Sequence, residues 1–279
     1  MTQFRLLALD ADGTVLDRSG AVSTRVRAAV RAAAEHGVRI VLCTGRRFRT
    51  AQPVLEALGL REGAAVLHNG VVVKDVASGR TLRHRYLSRE IYADALRLLR
   101  RVGAPLVYVD HHGEGLDLVA EPPERAHPFQ GEYLRANAQV ARIVESLGEP
   151  PSEALVMLSW MADEASLRDL EVEVAADLGP RVRTNFLINR NYRGHILEIV
   201  EAGSGKWPAL LELARDLGVA AEEIMAIGDD ANDAEMLAGA GLGVAMANAV
   251  PAALAAAGTV TASNEEDGAA LAIERFLLA

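Results

Sequence analysis

Two short acidic clusters carry the chemistry available to this chain. The first, Asp10-Ala11-Asp12-Gly13-Thr14, closes an apolar run from Phe4 to Leu9. The second, Gly228-Asp229-Asp230-Ala231-Asn232-Asp233, closes another from Ile224 to Ile227. Carboxylates at the ends of buried strands lie at the lip of an α/β sheet, where ligands bind. Two such clusters brought together make a cation site. A carboxylate can attack phosphorus to give an acyl phosphate that water then cleaves, and Asp10 reads as that nucleophile. Phosphate monoester hydrolysis demands accelerations up to about 10²¹-fold, so positioning and charge neutralisation must supply most of the effect.

A charge count sharpens the roles. Asp10, Asp229 and Asp233 together with a dianionic phosphate sum to about five negative charges, of which one lysine and a divalent cation offset three. An ionised Asp12 adds another like charge, so Asp12 reads as the carboxyl that carries a proton: general acid for the leaving oxygen, then base for the attacking water. Alternate residues of an extended chain face the same way, which lets Asp10 and Asp12 approach one phosphoryl group. Oxygen ligands on a hard cation point to Mg²⁺, with Asp10 and Asp229 as side-chain ligands. The same Asp-x-Asp-Gly also reads as a self-capping turn. A calcium loop is excluded by Ala21, where that motif needs Glu.

Thr44-Gly45 follows a second apolar run; a hydroxyl and free N–H groups there hold phosphate oxygens or simply cap the strand. Lys206 follows Gly203-Ser204-Gly205 and reads as a point charge reaching a site, or as a surface lysine. The glycine spacing is not that of a Walker A loop, and Trp207 stands where Ser or Thr is required. In the second cluster, Asp229 on metal, Asn232 on phosphate and Asp233 steadying its neighbours form one division of labour. Asn232 or Asp233 capping the following helix forms another. Arg46 and Asn69 are candidate substrate contacts. His111 and His112 fall in a loop and read as solvated or as substrate contacts.

The elements that must position these residues follow an α/β rhythm. A strand at 4–9, a helix at 23–36, a strand at 39–43, a helix at 50–58 and a strand at 65–67 imply a parallel sheet with right-handed crossovers. A hairpin over 71–74 and 81–86 follows. Helices at 88–102 and 164–178 and strands near 105–109, 116–120, 154–160, 181–187 and 195–200 read as an inserted domain with an antiparallel sheet, spanning 84–200. The first rhythm then returns: helix 207–217, strand 224–227, helix 234–238, strand 242–246, helix 251–257, strand 259–261 and helix 268–277. Residues 1–83 and 201–279 are thereby one interrupted domain.

The bulk properties fit. The chain has 279 residues, half of them hydrophobic, and a net charge of -9, which argues against nucleic-acid or anionic-membrane partners. Cys43 is the only cysteine and suits a reducing cytosol. No basic-then-apolar leader precedes the first strand, and no apolar stretch is long enough to span a bilayer. The expectation is a cytoplasmic protein, monomer or homodimer, acting on a small phosphorylated metabolite.

Taken in order, Asp10-Ala-Asp12-Gly-Thr14, Thr44-Gly-Arg46, Lys206 and Gly228-Asp229-x-x-Asn232-Asp233 resemble the motifs of the haloacid-dehalogenase-like phosphatases, specifically the Cof-type (IIB) branch with a large α/β cap. Asn69-Gly70, Gly243 to Ala249 and Asn264 to Gly268 are similar to that branch too. The resemblance implies a Rossmann-like core with an inserted cap that closes over the site and selects the substrate. It implies Asp10 as phosphorylated nucleophile, Asp12 as acid/base, and Mg²⁺ on Asp10, the Asp12 carbonyl and Asp229. Ala11, Thr44, Gly45, Lys206 and Asn232 would hold the phosphate, with Asp233 supporting. Trp207 departs from the branch, which often has Gly there. A phosphomutase, a dedicated glycoside-phosphate phosphatase or a catalytically silent sugar-phosphate-binding regulator on the same scaffold are the alternatives.

Overall fold

A computed structural model describes residues 4–100, 103–189 and 192–279. The chain divides into two compact units, one comprising residues up to His84 with Gly205–Ala279, the other Arg85–Ser204. In the first unit, β1 (Leu6–Leu9) is buried along its whole length. Leu7 and Leu9 pack into one core, Leu6 and Ala8 into the core on the opposite face, which is why the run is continuously apolar rather than alternating. There follow α1 (Thr24–Glu35), capped by the Ser23 hydroxyl, then β2 (Arg39–Cys43), α2 (Phe48–Leu58), β3 (Ala64–Leu67), β4 (Val72–Asp75) and β5 (Thr81–His84).

The second unit contains α3 (Arg89–Leu99), β6 (Leu106–His111), β7 (Leu116–Ala120), α4 (Pro128–Ala136), β8 (Ala141–Ile143), β9 (Leu155–Ala162), α5 (Glu164–Asp177), β10 (Val182–Ile188) and β11 (His195–Glu201). The chain then re-enters the first unit with α6 (Lys206–Asp216), β12 (Ile224–Gly228), α7 (Ala234–Gly239), β13 (Leu242–Ala245), α8 (Pro251–Ala256), β14 (Thr259–Val260) and α9 (Gly268–Leu277).

The first sheet has the order β14-β13-β12-β1-β2-β3-β4-β5. It is parallel from β14 to β3, with β4 and β5 added antiparallel. The register sets Leu9 opposite both Ile227 and Leu42, so the chain leaves β1, β2 and β12 at one carboxyl edge. Asp10, Thr44 and Asp229 are the residues met there.

The second sheet has the order β10-β11-β9-β6-β7-β8. An antiparallel sheet is expected from the sequence; the structure corrects this, because β7 and β8 pair parallel. The chain passes through α4 between them, and such a crossover returns a strand in the same direction. The sequence reading misses α4, which starts on Pro128 as its first helical residue just beyond the Glu121-Pro122-Pro123 loop. It also misses β8, three residues long with Ile143 47% exposed.

Smaller differences have local causes. Helix α2 begins at Phe48, not at 50, because the extended Arg47 is its cap residue. The final residues of the expected 88–102 helix, 101 and 102, and the first three residues of the expected core segment lie outside the described residues. Among the described residues no helix is long and apolar enough to cross a membrane.

Candidate active site

The site is built on the carboxyl edge of the first sheet. Asp10 follows β1, is 5% exposed, and its backbone N–H donates to the Ile227 carbonyl 3.0 Å away. Lys206 opens α6 and is 2% exposed. Its Nζ donates to Asp10 Oδ1 and to Asp233 Oδ1, both at 2.7 Å. The other oxygen of Asp233, Oδ2, accepts the backbone N–H groups of Asp229 and Asp230 at 3.0 Å each. Asp229 Oδ1 accepts the Thr14 hydroxyl at 3.1 Å. One oxygen from each of Asp10, Asp229 and Asp233 lies within 4.8 Å of the others, and all three residues are buried.

Three buried carboxylates thus crowd one ammonium, which bonds two of them. Burial pushes Asp10 well above the ordinary carboxylate range; Lys206 opposes this, while Asp233 and Asp229 add to it. Lys206 is desolvated by burial, yet the charges of Asp10 and Asp233 outweigh that and hold its ammonium more firmly than in water. A dication fits this donor set: hard carboxylate oxygens, buried and gathered within 4.8 Å of one another. Asp10 and Asp229 suit the ligand role. Asp233 does not, because both its oxygens already accept from Lys206 and from two backbone N–H groups. Its task is to hold Lys206 against the 229–230 loop. Asp233 is the cap residue of α7, as expected, but its side chain makes no cap hydrogen bond; the short turn at 231–233 before it is capped by Asp230 through the Ala231 N–H.

Thr44 is fully enclosed, and its hydroxyl accepts the Arg46 N–H at 3.2 Å. The Ala11 carbonyl accepts N–H groups from the turn that carries Thr14 to Leu16. Asn232 Nδ2 donates to Asn69 Oδ1 at 2.9 Å, so Asn69, read from the sequence as a substrate contact, is a neighbour of the acidic loop and only 4% exposed.

Arg46 alters the charge count made from sequence. Its guanidinium forks onto Asp12, with Nε to Oδ2 at 2.8 Å and Nη2 to Oδ1 at 2.6 Å, and its Nη1 donates to the Thr50 carbonyl. The hydrogen bond to Asp12 raises the Arg46 pKa above its ordinary value, against burial. The count had left Asp12 with no cation of its own; the structure supplies one, and a guanidinium forked onto both oxygens favours the carboxylate, which corrects the expectation that like charge alone keeps a proton on Asp12.

Three side chains that support the site were given no role from sequence. Thr14 bonds Asp229; Asn248 Nδ2 donates to the Gly13 carbonyl at 2.9 Å; Asn264 Nδ2 donates to the Leu16 carbonyl at 2.8 Å. Asn264 N–H also donates to Asn248 Oδ1, so the two asparagines form one brace under the first acidic loop. The signal available was their position after β13 and β14, beside the edge where β1 ends. His111 closes β6 in the other unit, tied to Ser152 at 2.7 Å and Glu114 at 3.1 Å, and His112 opens the turn that follows. Cys43 is buried, and desolvation pushes its thiol pKa up, which leaves it unreactive.

A sequence model for haloacid dehalogenase-like hydrolases matches residues 7–273. YxeH of Bacillus subtilis (strain 168) is 32% identical over 278 residues, 99% of each chain. An HMP-PP phosphatase of Serratia proteamaculans (strain 568) is 30% identical over 249 residues, covering 89% of this chain and 85% of its own. The crystal structure of a haloacid dehalogenase-like hydrolase from Bacteroides thetaiotaomicron has a TM-score of 0.82 and 28% identity, covering 98% of this chain and 99% of that one. With the family's sequence pattern, relatives of near-equal length and the fold in agreement, the chain belongs to the haloacid dehalogenase-like hydrolase family.

Proposed function

We propose that this protein is a Mg²⁺-dependent phosphatase that hydrolyses small phosphorylated metabolites, sugar phosphates or similar phosphomonoesters, through an aspartyl-phosphate. The observation that carries the reading is the buried trio Asp10, Asp229 and Asp233 gathered around Lys206. A carboxyl nucleophile at the end of β1, crowded by two further buried carboxylates, suits a site that receives a dication and a phosphate together. Bound at Asp10, Asp229 and the Asp12 carbonyl, Mg²⁺ would offset the repulsion between carboxylates and phosphoryl oxygens.

The residues of the chain do the rest. Asp10 attacks phosphorus; the P–O bond to the leaving group breaks, and Asp12 gives that oxygen its proton. Water then attacks the aspartyl-phosphate, Asp12 takes the water's proton, and the P–O bond to Asp10 breaks, releasing inorganic phosphate and restoring both carboxyl groups. Lys206, Asn232, the Thr44 hydroxyl and the backbone N–H groups of Ala11 and Gly45 hold phosphoryl oxygens, and Asp233 keeps Lys206 in place. Arg46 holds Asp12. The inserted segment, 84–200 in the sequence reading, supplies substrate selectivity. A lone buried cysteine needs no oxidising compartment and a net charge of -9 favours no polyanion, which suits a cytoplasmic enzyme of small metabolites.

The test is phosphate release over a panel of phosphorylated metabolites. Turnover is expected with Mg²⁺, none with a chelator, and near-total loss in Asp10→Asn. Undiminished turnover in Asp10→Asn would refute the reading.

A further inference from the structure

The turn after β3 has a conformation that its sequence alone does not explain. His68, Asn69 and Gly70 are consecutive and all left-handed, with φ of 49°, 54° and 92°. Glycine takes that region freely and asparagine and histidine enter it more readily than other side chains, but two consecutive non-glycine residues there need support from their surroundings. The turn is held by backbone bonds from His68 N–H to the Arg46 carbonyl at 3.2 Å and from Asn69 N–H to the Thr44 carbonyl at 3.1 Å. On one side Gly70 lies so close to Gly205, which precedes Lys206, that a Cβ would stand 2.0 Å from its carbonyl oxygen. On another, the Asn69 amide fills the space a side chain at Gly45 would need: a Cβ there would be 2.9 Å from Asn69 Oδ1. From this seat Asn69 Oδ1 accepts Asn232 Nδ2, while the buried Asn232 Oδ1 has no hydrogen-bond partner among the described residues. The contact with Asn69 is therefore what sets the direction of the Asn232 amide.

We propose that Asn69 is a positioning residue. It takes one hydrogen of the Asn232 amide so that the other is presented to a phosphate oxygen, and it ties the Thr44-Gly45 segment to the second acidic loop. This rests on the reading that Asn232 holds phosphate. In the left-handed turn, with φ at 54°, the Asn69 side chain lies between Gly45 and Asn232.

The test is a double-mutant cycle on inorganic phosphate binding, followed by calorimetric titration of the full chain in Mg²⁺, with the KM–kcat split measured alongside. Asn69→Gly keeps the backbone conformation without strain and removes only the amide, and melting curves verify the fold. Should that variant fail to fold, Asn69→Ala, which also removes the acceptor, goes through the same cycle with its backbone strain read from the melting curves. Asn69→Gly is expected to weaken phosphate binding about 5–10-fold in the native background, and by under about 1.5-fold where Asn232 is already alanine. A general structural role moves stability and leaves the two factors multiplying. Multiplying factors with an effective Asn232→Ala overturn the role of Asn69 alone. An Asn232→Ala protein that binds phosphate as the native chain does overturns the phosphate-holding reading and this inference with it.

Discussion

Replacing Lys206 by methionine isolates the cost of gathering three carboxylates. The ammonium stands 2.7 Å from both Asp10 and Asp233. At an effective dielectric of about 20, each contact is worth roughly 6 kcal/mol of Coulomb attraction. Most of that is offset by the cost of burying the charge, and breaking a buried pair by removing one partner costs about 3–5 kcal/mol in practice. At about 2–4 °C per kcal/mol for a unit of this size, the melting temperature of the chelated protein should fall by roughly 6–20 °C. The pH dependence has a definite sign. The Asp10 pKa is raised by folding, so stability from its proton is complete below the unfolded value of about 3.9 and is lost as pH rises through the folded value. Without Lys206, nothing opposes burial and the like charges, and the folded value climbs further. The deficit of Lys206→Met relative to the native chain should therefore be small in acid and grow toward neutral pH. The assay is paired thermal melts in EDTA across that range. A melting temperature unchanged at neutral pH, or a deficit that grows on acidification, would refute the electrostatic account.

Two other changes separate roles that the geometry assigns to different side chains. Asp12→Asn should lower turnover of alkyl phosphates by about 10²–10⁴-fold and that of an activated aryl phosphate far less, because a good leaving group needs no proton; equal losses on both substrates would remove Asp12 from the acid role. Arg46→Ala leaves a pair whose side chains are 26% and 45% exposed, so stability should move by no more than about 1 kcal/mol. Asp12 loses both arms of its fork, and misplacement on the scale of 1 Å costs up to about 10²-fold in rate. A large melting shift with unchanged kcat would reverse that assignment.

The parts of the fold legible in the sequence are those where one physical rule acts alone. Strands β1 and β12 lie between two cores, so every residue must be apolar, and each run stops where the acidic loop starts. Ser23 announces α1 because its hydroxyl has a helix N–H to accept. The elements missed are those whose stability is borrowed from neighbours. Strand β8 is three residues of edge pairing, and its Arg142 and Ile143 are exposed. Helix α4 follows a proline-rich loop that looks like loop throughout. In the site, residue types announced Asp10, Asp229 and Lys206, but partnership did not follow from type. Arg46 is one of many arginines, and its fork onto Asp12 joins positions 34 apart. Asn69 needed a left-handed backbone that no side chain announces.

The two lysines show how chemistry chooses a residue against the composition of its chain. Of 29 basic side chains apart from histidine, only Lys74 and Lys206 are lysine, which leaves 27 arginines. Both lysines are buried, at 5% and 2% exposure. Lys74 donates to the Gly79 carbonyl and the Thr81 hydroxyl, and Lys206 bridges two carboxylates. Each place calls for a compact cation with donors in diverging directions, whereas a guanidinium is planar, wider and suited to a single fork. At exposed positions either cation serves and arginine is used throughout, so the two lysines mark the places where the cations are not interchangeable. Lys206→Arg should consequently fail to restore turnover and should melt below the native chain, although the formal charge is kept. Activity near that of the native chain in Lys206→Arg would mean that charge alone suffices at this position, and that the 2.7 Å bridge to Asp10 and Asp233 is not the feature being used.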